Sequence, residues 1–475
     1  MQRVAPDRPW ALHGVAATRR IEAAAAAALP AQALMQRAGL AVARLALALA
    51  PHARTVWVAC GPGNNGGDGF EAALHLQRWG KEPVVTWRGD ETRMPGDARA
   101  ALQRARDAGV RFASQPPPSW DLALDGLLGI GSTRAPEGAL LADIECMNGA
   151  AAPVLAVDVP SGLDADTGAA GACVRAAHTL SLLALKTGLF TLHGRDAAGT
   201  VWFDDLQVDA GAERPTATLS GPAPTQARRH ASHKGSYGDV AVIGGAAGMA
   251  GAALLAGRAA LHHGAGRVFV GFLDPAAGAL DAQQPDLMVR PWDSLALEGM
   301  SVACGCGGGA AVRAALPRVL AARALVLDAD ALNALAADAP LQALLAGRSA
   351  PTVLTPHPLE AARLLGRDTK AVQADRIASA RELARRFASV VVLKGSGTVI
   401  ASPEGEVRIN PTGNARLAIA GTGDVLAGWI AARMGSEPAF EAASAAVVLH
   451  GLAADRWPAD RPLTAGALAV SYAAS

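Results

Sequence analysis

Short apolar runs that end at a glycine or an aspartate recur along this chain, and no other feature limits its fold so strongly. Thr55-Val56-Trp57-Val58-Ala59-Cys60 leads into Gly61-Pro62-Gly63, and Val154-Leu155-Ala156-Val157 leads into Asp158. Asp239-Val240-Ala241-Val242-Ile243 and Ala324-Leu325-Val326-Leu327 repeat the pattern further on, and Val390-Val391-Val392-Leu393 is a similar run that ends at Lys394-Gly395. Runs without polar alternation suit strands buried on both faces, as in a parallel sheet covered by helices. Both halves of the chain therefore read as α/β. Between them, from about Asp209 to Lys234, the pattern lapses into Pro, Gly and small polar residues. Proline lacks an amide hydrogen and restricts its predecessor, so this stretch is expected to resist regular structure and act as a linker. The expected organisation is a domain at residues 1–212, a linker at 213–228 and a second domain at 229–475. The halves share a grammar without being copies, which points to a fusion.

Composition removes several classes. With 475 residues, 51% hydrophobic and 18% charged, the chain can bury a large core and is not a disordered polymer. A formal net charge of +1 leaves no electrostatic footprint for nucleic acid or an anionic membrane. Five scattered cysteines argue against a disulfide framework and fit a reducing compartment. No signal peptide is read at the N-terminus, and Ala23 to Ala28 is too short to span a bilayer, so a cytoplasmic protein is expected.

In the first half, Gly61-Pro62-Gly63-Asn64-Asn65-Gly66-Gly67-Asp68-Gly69 follows a strand and precedes a helix expected from about Gly69 to Trp79. That is where α/β sheets bind phosphates, but two amides and a carboxylate set the loop apart from the dinucleotide fingerprint. Asp125 and Asp158 close two more apolar runs, the second followed by Val159-Pro160-Ser161. Asn65, Asp125, Asp158 and Ser161 are expected to meet at one sheet edge, and such oxygens suit a hard cation rather than zinc. Arg134 is available to pair with a phosphate. Lys186 is the only lysine between Lys81 and Lys234. It closes an apolar run, and a snorkelling surface lysine is the alternative reading.

In the second half, Gly421-Thr422-Gly423-Asp424-Val425-Leu426-Ala427-Gly428 is a small-residue loop running into an apolar helix. Its glycines let N–H groups converge on an anion at the helix's positive end, with Asp424 within reach of an acceptor hydroxyl. A tight turn capped by Asp424 is the plainer alternative. Asp328-Ala329-Asp330 ends another run in two carboxylates, and His357 stands between Pro356 and Pro358, which favours a ligand contact.

At these residues the chain resembles two known families. Residues 1–212 resemble the NAD(P)H-hydrate epimerase domain in the asparagine-rich loop and in the run Asp158-Val159-Pro160-Ser161-Gly162-Leu163-Asp164-Ala165-Asp166-Thr167-Gly168. The resemblance implies a Rossmann-like three-layer αβα fold and interconversion of the R and S forms of hydrated NADH and NADPH. It implies hydrate binding by Asn64, Asn65, Gly66, Gly67 and Asp68, by Gly129, Ile130, Gly131, Ser132, Thr133 and Arg134, and by Asp158. It further implies a potassium ion at Asn65, Asp125 and Ser161. Asp158, with Lys186, is expected to do the acid–base work.

From about residue 225 onward, the combination of His233-Lys234-Gly235, Asp328-Ala329-Asp330, Thr355-Pro356-His357-Pro358-Leu359-Glu360, Lys394-Gly395 and the Gly421–Gly428 loop is similar to the ADP-dependent NAD(P)H-hydrate dehydratase, within the ribokinase-like superfamily. This implies nucleotide contacts at Lys394, Gly395, Ser396, Gly397, Thr398 and Gly423, and hydrate contacts at Ala253, Gly309, His357 and Asp424. ADP would be the co-substrate, with a magnesium ion. Asp424 is expected to take the hydroxyl proton as the oxygen attacks the terminal phosphoryl; elimination of phosphate then restores the dihydronicotinamide and leaves AMP. Where the family has Gly-Pro-Gly-Leu-Gly, this chain has Gly305-Cys306-Gly307-Gly308-Gly309, from which a more mobile loop and weaker substrate binding are expected. Small-molecule partners and a homo-oligomer are implied, with no nucleic acid and no membrane. Two other functions stay open at this point: a kinase of the hydroxymethylpyrimidine or thiazole type, and a non-catalytic nucleotide-binding protein.

Overall fold

The computed structural model describes every residue except 133, 212, 225–229 and 472–475. The chain divides into two compact units, Met1–Ala5 with Trp10–Thr218, and Pro6–Pro9 with Leu219–Ser475. All five cysteines are free thiols. No helix of the described residues is long and apolar enough to cross a membrane.

The first unit is built on the sheet order Gln2–Arg3, Thr200–Asp204, His178–Leu182, Val154–Val157, Leu122–Gly126, Thr55–Cys60, Glu82–Trp87, Arg111–Ala113. Only the Gln2–Arg3 edge is antiparallel. The central strands Leu122–Gly126 and Val154–Val157 are buried along their whole length, as uninterrupted apolar runs require. From Thr55–Cys60 the chain first builds outward to Glu82–Trp87 and Arg111–Ala113, then returns to Leu122–Gly126 on the other side. That reversal opens a crevice at the carboxyl ends of Thr55–Cys60 and Leu122–Gly126, where ligands bind in open α/β sheets.

The helix expected from about Gly69 to Trp79 in fact spans Asn64–Arg78, so the asparagines and Gly66-Gly67 form its first turn. Glycine costs about 1 kcal/mol in a helix interior, but here close packing outweighs propensity. A Cβ on Gly66 would lie 2.2 Å from the Gly61 carbonyl oxygen, so only glycine lets the helix start against the strand end.

The second unit has the order Met288–Val289, Arg267–Phe272, Asp239–Gly244, Ser301–Cys304, Ala324–Leu327, Thr352–Leu354, Val390–Leu393, all parallel. Val399–Ala401 and Val407–Ile409 continue it antiparallel. Its reversal lies at Asp239–Gly244, between Arg267–Phe272 and Ser301–Cys304. Helices Ala250–His262, Thr422–Arg433 and Ala439–Asp455 carry much of the core, around the fully buried Trp429.

The stretch expected to lack regular structure carries one strand, Ala217–Leu219. Its three residues lie between Pro215 and Pro222 and keep their amides. Just beyond it, the Ser220 N–H donates to the Ile409 carbonyl at 2.9 Å. Pairing of free amides outweighs the local composition.

Candidate active sites

A cavity of about 580 Å³ opens in the first unit. Asn64, Asn65, Asp68, Gly129, Ile130, Gly131, Ser132, Arg134, Asp158 and Lys186 all line it. Gly66 and Gly67 are buried in the helix behind it, and Thr133 lies outside the described residues. Helix Asn64–Arg78 begins at Gly63, which supplies no side-chain cap, and Gly63, Asn64 and Asn65 at its N-terminus line the cavity.

Asp158 follows its strand at φ 67°, a left-handed conformation that a non-glycine residue holds at a cost of about 1–3 kcal/mol. The strain is held by bonds on both sides: Asp158 N–H donates to Leu180 O at 2.8 Å, and Leu182 N–H donates to Asp158 Oδ1 at 3.0 Å. Lys186 is fully buried, so it is no surface lysine. Its Nζ pairs with Asp158 Oδ1 and donates to Leu182 O at 2.7 Å.

Asp125 and Ser161 lie beneath this cavity and are both fully buried. Ser161 donates to Asp125 from Oγ at 2.5 Å and from its backbone N–H at 2.8 Å, and Leu128 N–H donates to Ser161 Oγ at 2.8 Å. Asn65 Nδ2 donates to Leu128 O at 3.1 Å, which ties the helix start to the same loop. Burial pushes the Asp125 carboxyl up to about 6 against the pull of its Ser161 bonds. Among the described residues no basic side chain is hydrogen-bonded to this buried carboxylate, and a carboxylate with amide, hydroxyl and carbonyl oxygens around it suits a hard cation.

In the second unit, Asp328, His357, Lys394 and Cys306 follow the ends of neighbouring strands, and Asp424 comes from helix Thr422–Arg433. Lys394 Nζ donates to Asp328 Oδ1 at 2.6 Å, as does Thr355 Oγ1 at 2.7 Å. Burial opposes the Lys394 charge, yet Asp328 and Glu360 outweigh it and its pKa is raised. Arg376, itself buried, donates to the Leu393 and Lys394 carbonyls at 3.0 and 3.1 Å and so holds the start of the Lys394–Thr398 turn. A Cβ on Gly423 would stand 3.3 Å from Lys394 Nζ, so the bare glycine leaves the ammonium open to the loop.

Asp424 does not cap its helix. Gly421 does, at φ 90°, and Asp424 is the third helical residue. Burial, and then the charge of Asp328, raise the Asp424 carboxyl to about 6. Sγ of Cys306 and the carboxylates of Asp328 and Asp424 offer ligand atoms within 4.8 Å of one another. His357 caps helix Pro358–Leu365: its Nδ1 accepts from Leu359 N–H at 3.1 Å, and Glu360 Oε2 accepts from His357 N–H at 2.7 Å. Sequence reasoning assigned this histidine to a ligand and missed its capping role.

The Gly305–Gly309 loop, expected to be more mobile, is tied along its length. Gly305 N–H donates to Ile243 O at 3.0 Å, Gly245 N–H to Cys306 O at 2.9 Å, Ala246 N–H to Gly307 O at 2.7 Å, and Gly309 N–H to Asp330 Oδ2 at 2.8 Å. The neighbouring loop supplies the restraint that a proline would have supplied locally. Ala253 is fully buried, with its methyl under Gly245.

Each half of the chain matches known proteins. A family model described as NAD(P)H-hydrate dehydratase matches residues 240–473, and one described as YjeF-related protein N-terminus matches residues 31–188. The bifunctional NAD(P)H-hydrate repair enzyme Nnr of Escherichia coli (strain K12) is 39% identical over 441 residues, covering 89% of this chain and 84% of that protein. The chain belongs to the bifunctional NAD(P)H-hydrate repair enzyme family. The second unit alone is similar to the ADP-dependent (S)-NAD(P)H-hydrate dehydratase of Neisseria meningitidis serogroup B, 45% identical over 52% of this chain and 86% of that one. A Bacillus subtilis ADP/ATP-dependent NAD(P)H-hydrate dehydratase co-crystallised with ATP and Mg2+ matches with 34% identity and a TM-score of 0.44, covering 52% of this chain and 91% of that chain.

As a hydrate repair enzyme, the chain holds site groups that sequence reasoning passed over. Asp328, Asp330 and Glu360 sit inside motifs already noted, and their strand-end positions were the available signal. Glu22 and Arg19 line the first cavity from helix Val15–Ala28, far upstream of any motif. Glu22 is the sole carboxylate of that alanine-rich helix, which was the only local hint.

Proposed function

We propose that this chain repairs hydrated NADH and NADPH in two steps, epimerising the R and S forms in the first domain and dehydrating the S form with ADP in the second. We assign residues 1–212 to the epimerase domain, 213–228 to the connection and 229–475 to the dehydratase domain. One observation carries the reading: a single chain holds both the strained Asp158–Lys186 pair in a cavity and the Lys394–Asp328–Asp424 group beside a glycine-capped helix. A kinase would use only the second.

In the dehydratase, Asp424 accepts the hydroxyl proton as that oxygen attacks the terminal phosphoryl of ADP. Lys394, kept cationic by Asp328 and Glu360, draws the phosphates toward the Lys394–Thr398 turn. Amides at the Gly421–Asp424 turn meet the charge that develops in transfer. Phosphate, unlike hydroxide, is a good leaving group, so elimination restores the ring and releases AMP and phosphate. A magnesium ion bound with the nucleotide would supply charge neutralisation on its phosphates. In the epimerase, Asp158 moves the proton and Lys186 holds its carboxylate in place. Asn65, Asp125 and Ser161 would hold a potassium ion, which supplies the charge that the buried Asp125 otherwise lacks.

The test incubates the purified chain with separated R and S hydrates and either ADP or ATP. Recovery of dihydronicotinamide absorbance from S with ADP, with AMP released, is expected; recovery from R follows through epimerisation. A stable phosphorylated product would instead establish the kinase reading, and binding without turnover that of a non-catalytic nucleotide-binding protein.

A further inference from the structure

The first cavity holds more acid than the Asp158–Lys186 pair uses. Glu22 from helix Val15–Ala28, Asp68 from helix Asn64–Arg78 and Asp97 from helix Gly96–Asp107 line it together with Asp158. Against these four carboxyls stand Arg19, Arg134 and Lys186. Lys186 is already engaged by Asp158, Ser181 and Leu182. Among the described residues no hydrogen bond ties down the carboxyl of Glu22 or of Asp68. Both are half-buried. Structural carboxylates in a cavity wall are usually paired or capped, and these two are neither.

The geometry points to Glu22 as a second proton-transfer residue of this cavity, acting with Asp68 on the hydroxyl of the hydrated ring. The inference rests on the epimerase reading above. Burial, and then the charge of Asp158, raise the Glu22 carboxyl, with Lys186 and Arg19 opposing and Asp97 adding. Asp68 is raised further, by burial and by Asp158, Glu22 and Glu71, with Lys186 opposing. A carboxyl raised in this way keeps its proton to higher pH than a solvated one and can give it to an oxygen.

The chemistry balances without a co-reactant other than water. The hydrated carbon adjoins the ring nitrogen, whose lone pair forms a C=N bond as the C–O bond breaks. The C–O electron pair leaves with the oxygen, which takes a carboxyl proton and departs as water. The resulting carbon is planar, so water adds to either face. Water added at the original face returns its proton to the same carboxylate; water added at the opposite face gives it to the Asp158 carboxylate, and the reverse reaction starts from that protonated Asp158.

Epimerisation is followed on the full chain without ADP, by resolving the R and S hydrates over time. Glu22→Gln is expected to slow it by about 100-fold or more with little change in KM, because a proton donor is worth that much in rate. The variant should also lose the high-pH limb of the rate profile, and Glu22→Asp should restore part of the rate. ADP-dependent dehydration of the S form in the same preparation reports that the second unit is folded, and an unaltered thermal melt of the first unit reports that Glu22→Gln has not unfolded it. A Glu22→Gln rate within about threefold of the unaltered chain, or a fall confined to KM with the pH profile intact, overturns the inference. Failure of the unaltered chain to interconvert the hydrates would instead defeat the epimerase reading beneath it.

Discussion

Asp424 is the residue whose environment makes the clearest demands. Its carboxyl is raised to about 6, so it acts as a base only above that value. Dehydration should therefore fall as pH drops through about 6 and level off above it. The same shift costs stability. Below about pH 4 the carboxyl is protonated in both folded and unfolded chains and costs nothing; between about pH 4 and 6 the penalty grows, and above 6 it is complete. Asp424→Asn should abolish turnover while stabilising the second domain at neutral pH by on the order of 3 kcal/mol, since one pKa unit is about 1.4 kcal/mol. Melting curves near pH 7.5 and near pH 4 check this, with the gain confined to the higher pH. Equal melting of the two proteins at neutral pH would contradict the raised carboxyl.

At the scale of elements, helix Thr422–Arg433 must approach helix Ala250–His262 closely enough to seat the Gly421–Asp424 turn. Gly428 makes that contact: a Cβ there would lie 2.2 Å from the Ala256 carbonyl oxygen. Gly428→Ala should force the helices apart and cost about 1–3 kcal/mol, read from denaturant unfolding of the second domain. It should also lower dehydration well below epimerisation, because the displaced helix carries Asp424. The first unit uses the same device at Gly66, where a bare backbone lets a helix start against a strand end.

For the whole molecule, each unit has its own buried core and its own set of reactive groups. Two separated activities should therefore be lost one at a time. Asp158→Asn is expected to block conversion of the R hydrate while leaving dehydration of S intact, and Asp424→Ala should do the reverse. Mixing the two variants should restore recovery of dihydronicotinamide from R, because the epimerised product is a diffusible small molecule. A mixture that stays inactive on R, while each variant keeps its remaining activity, would show that both sites must belong to one chain.

The sequence by itself determined the α/β class and the family. Uninterrupted apolar runs can be satisfied only by strands covered on both faces, and motifs such as Gly421-Thr422-Gly423-Asp424 are local enough to be legible in one dimension. Tertiary structure decided what depends on groups far apart in the chain. It began a helix at Asn64 through contact with Gly61, gave His357 a capping role, and tied the Gly305–Gly309 loop to its neighbour. It also brought Glu22 to the wall shared by Asp68 and Asp158. A carboxyl's acidity depends on burial and on the charges around it, and a linear sequence fixes neither until the chain has folded.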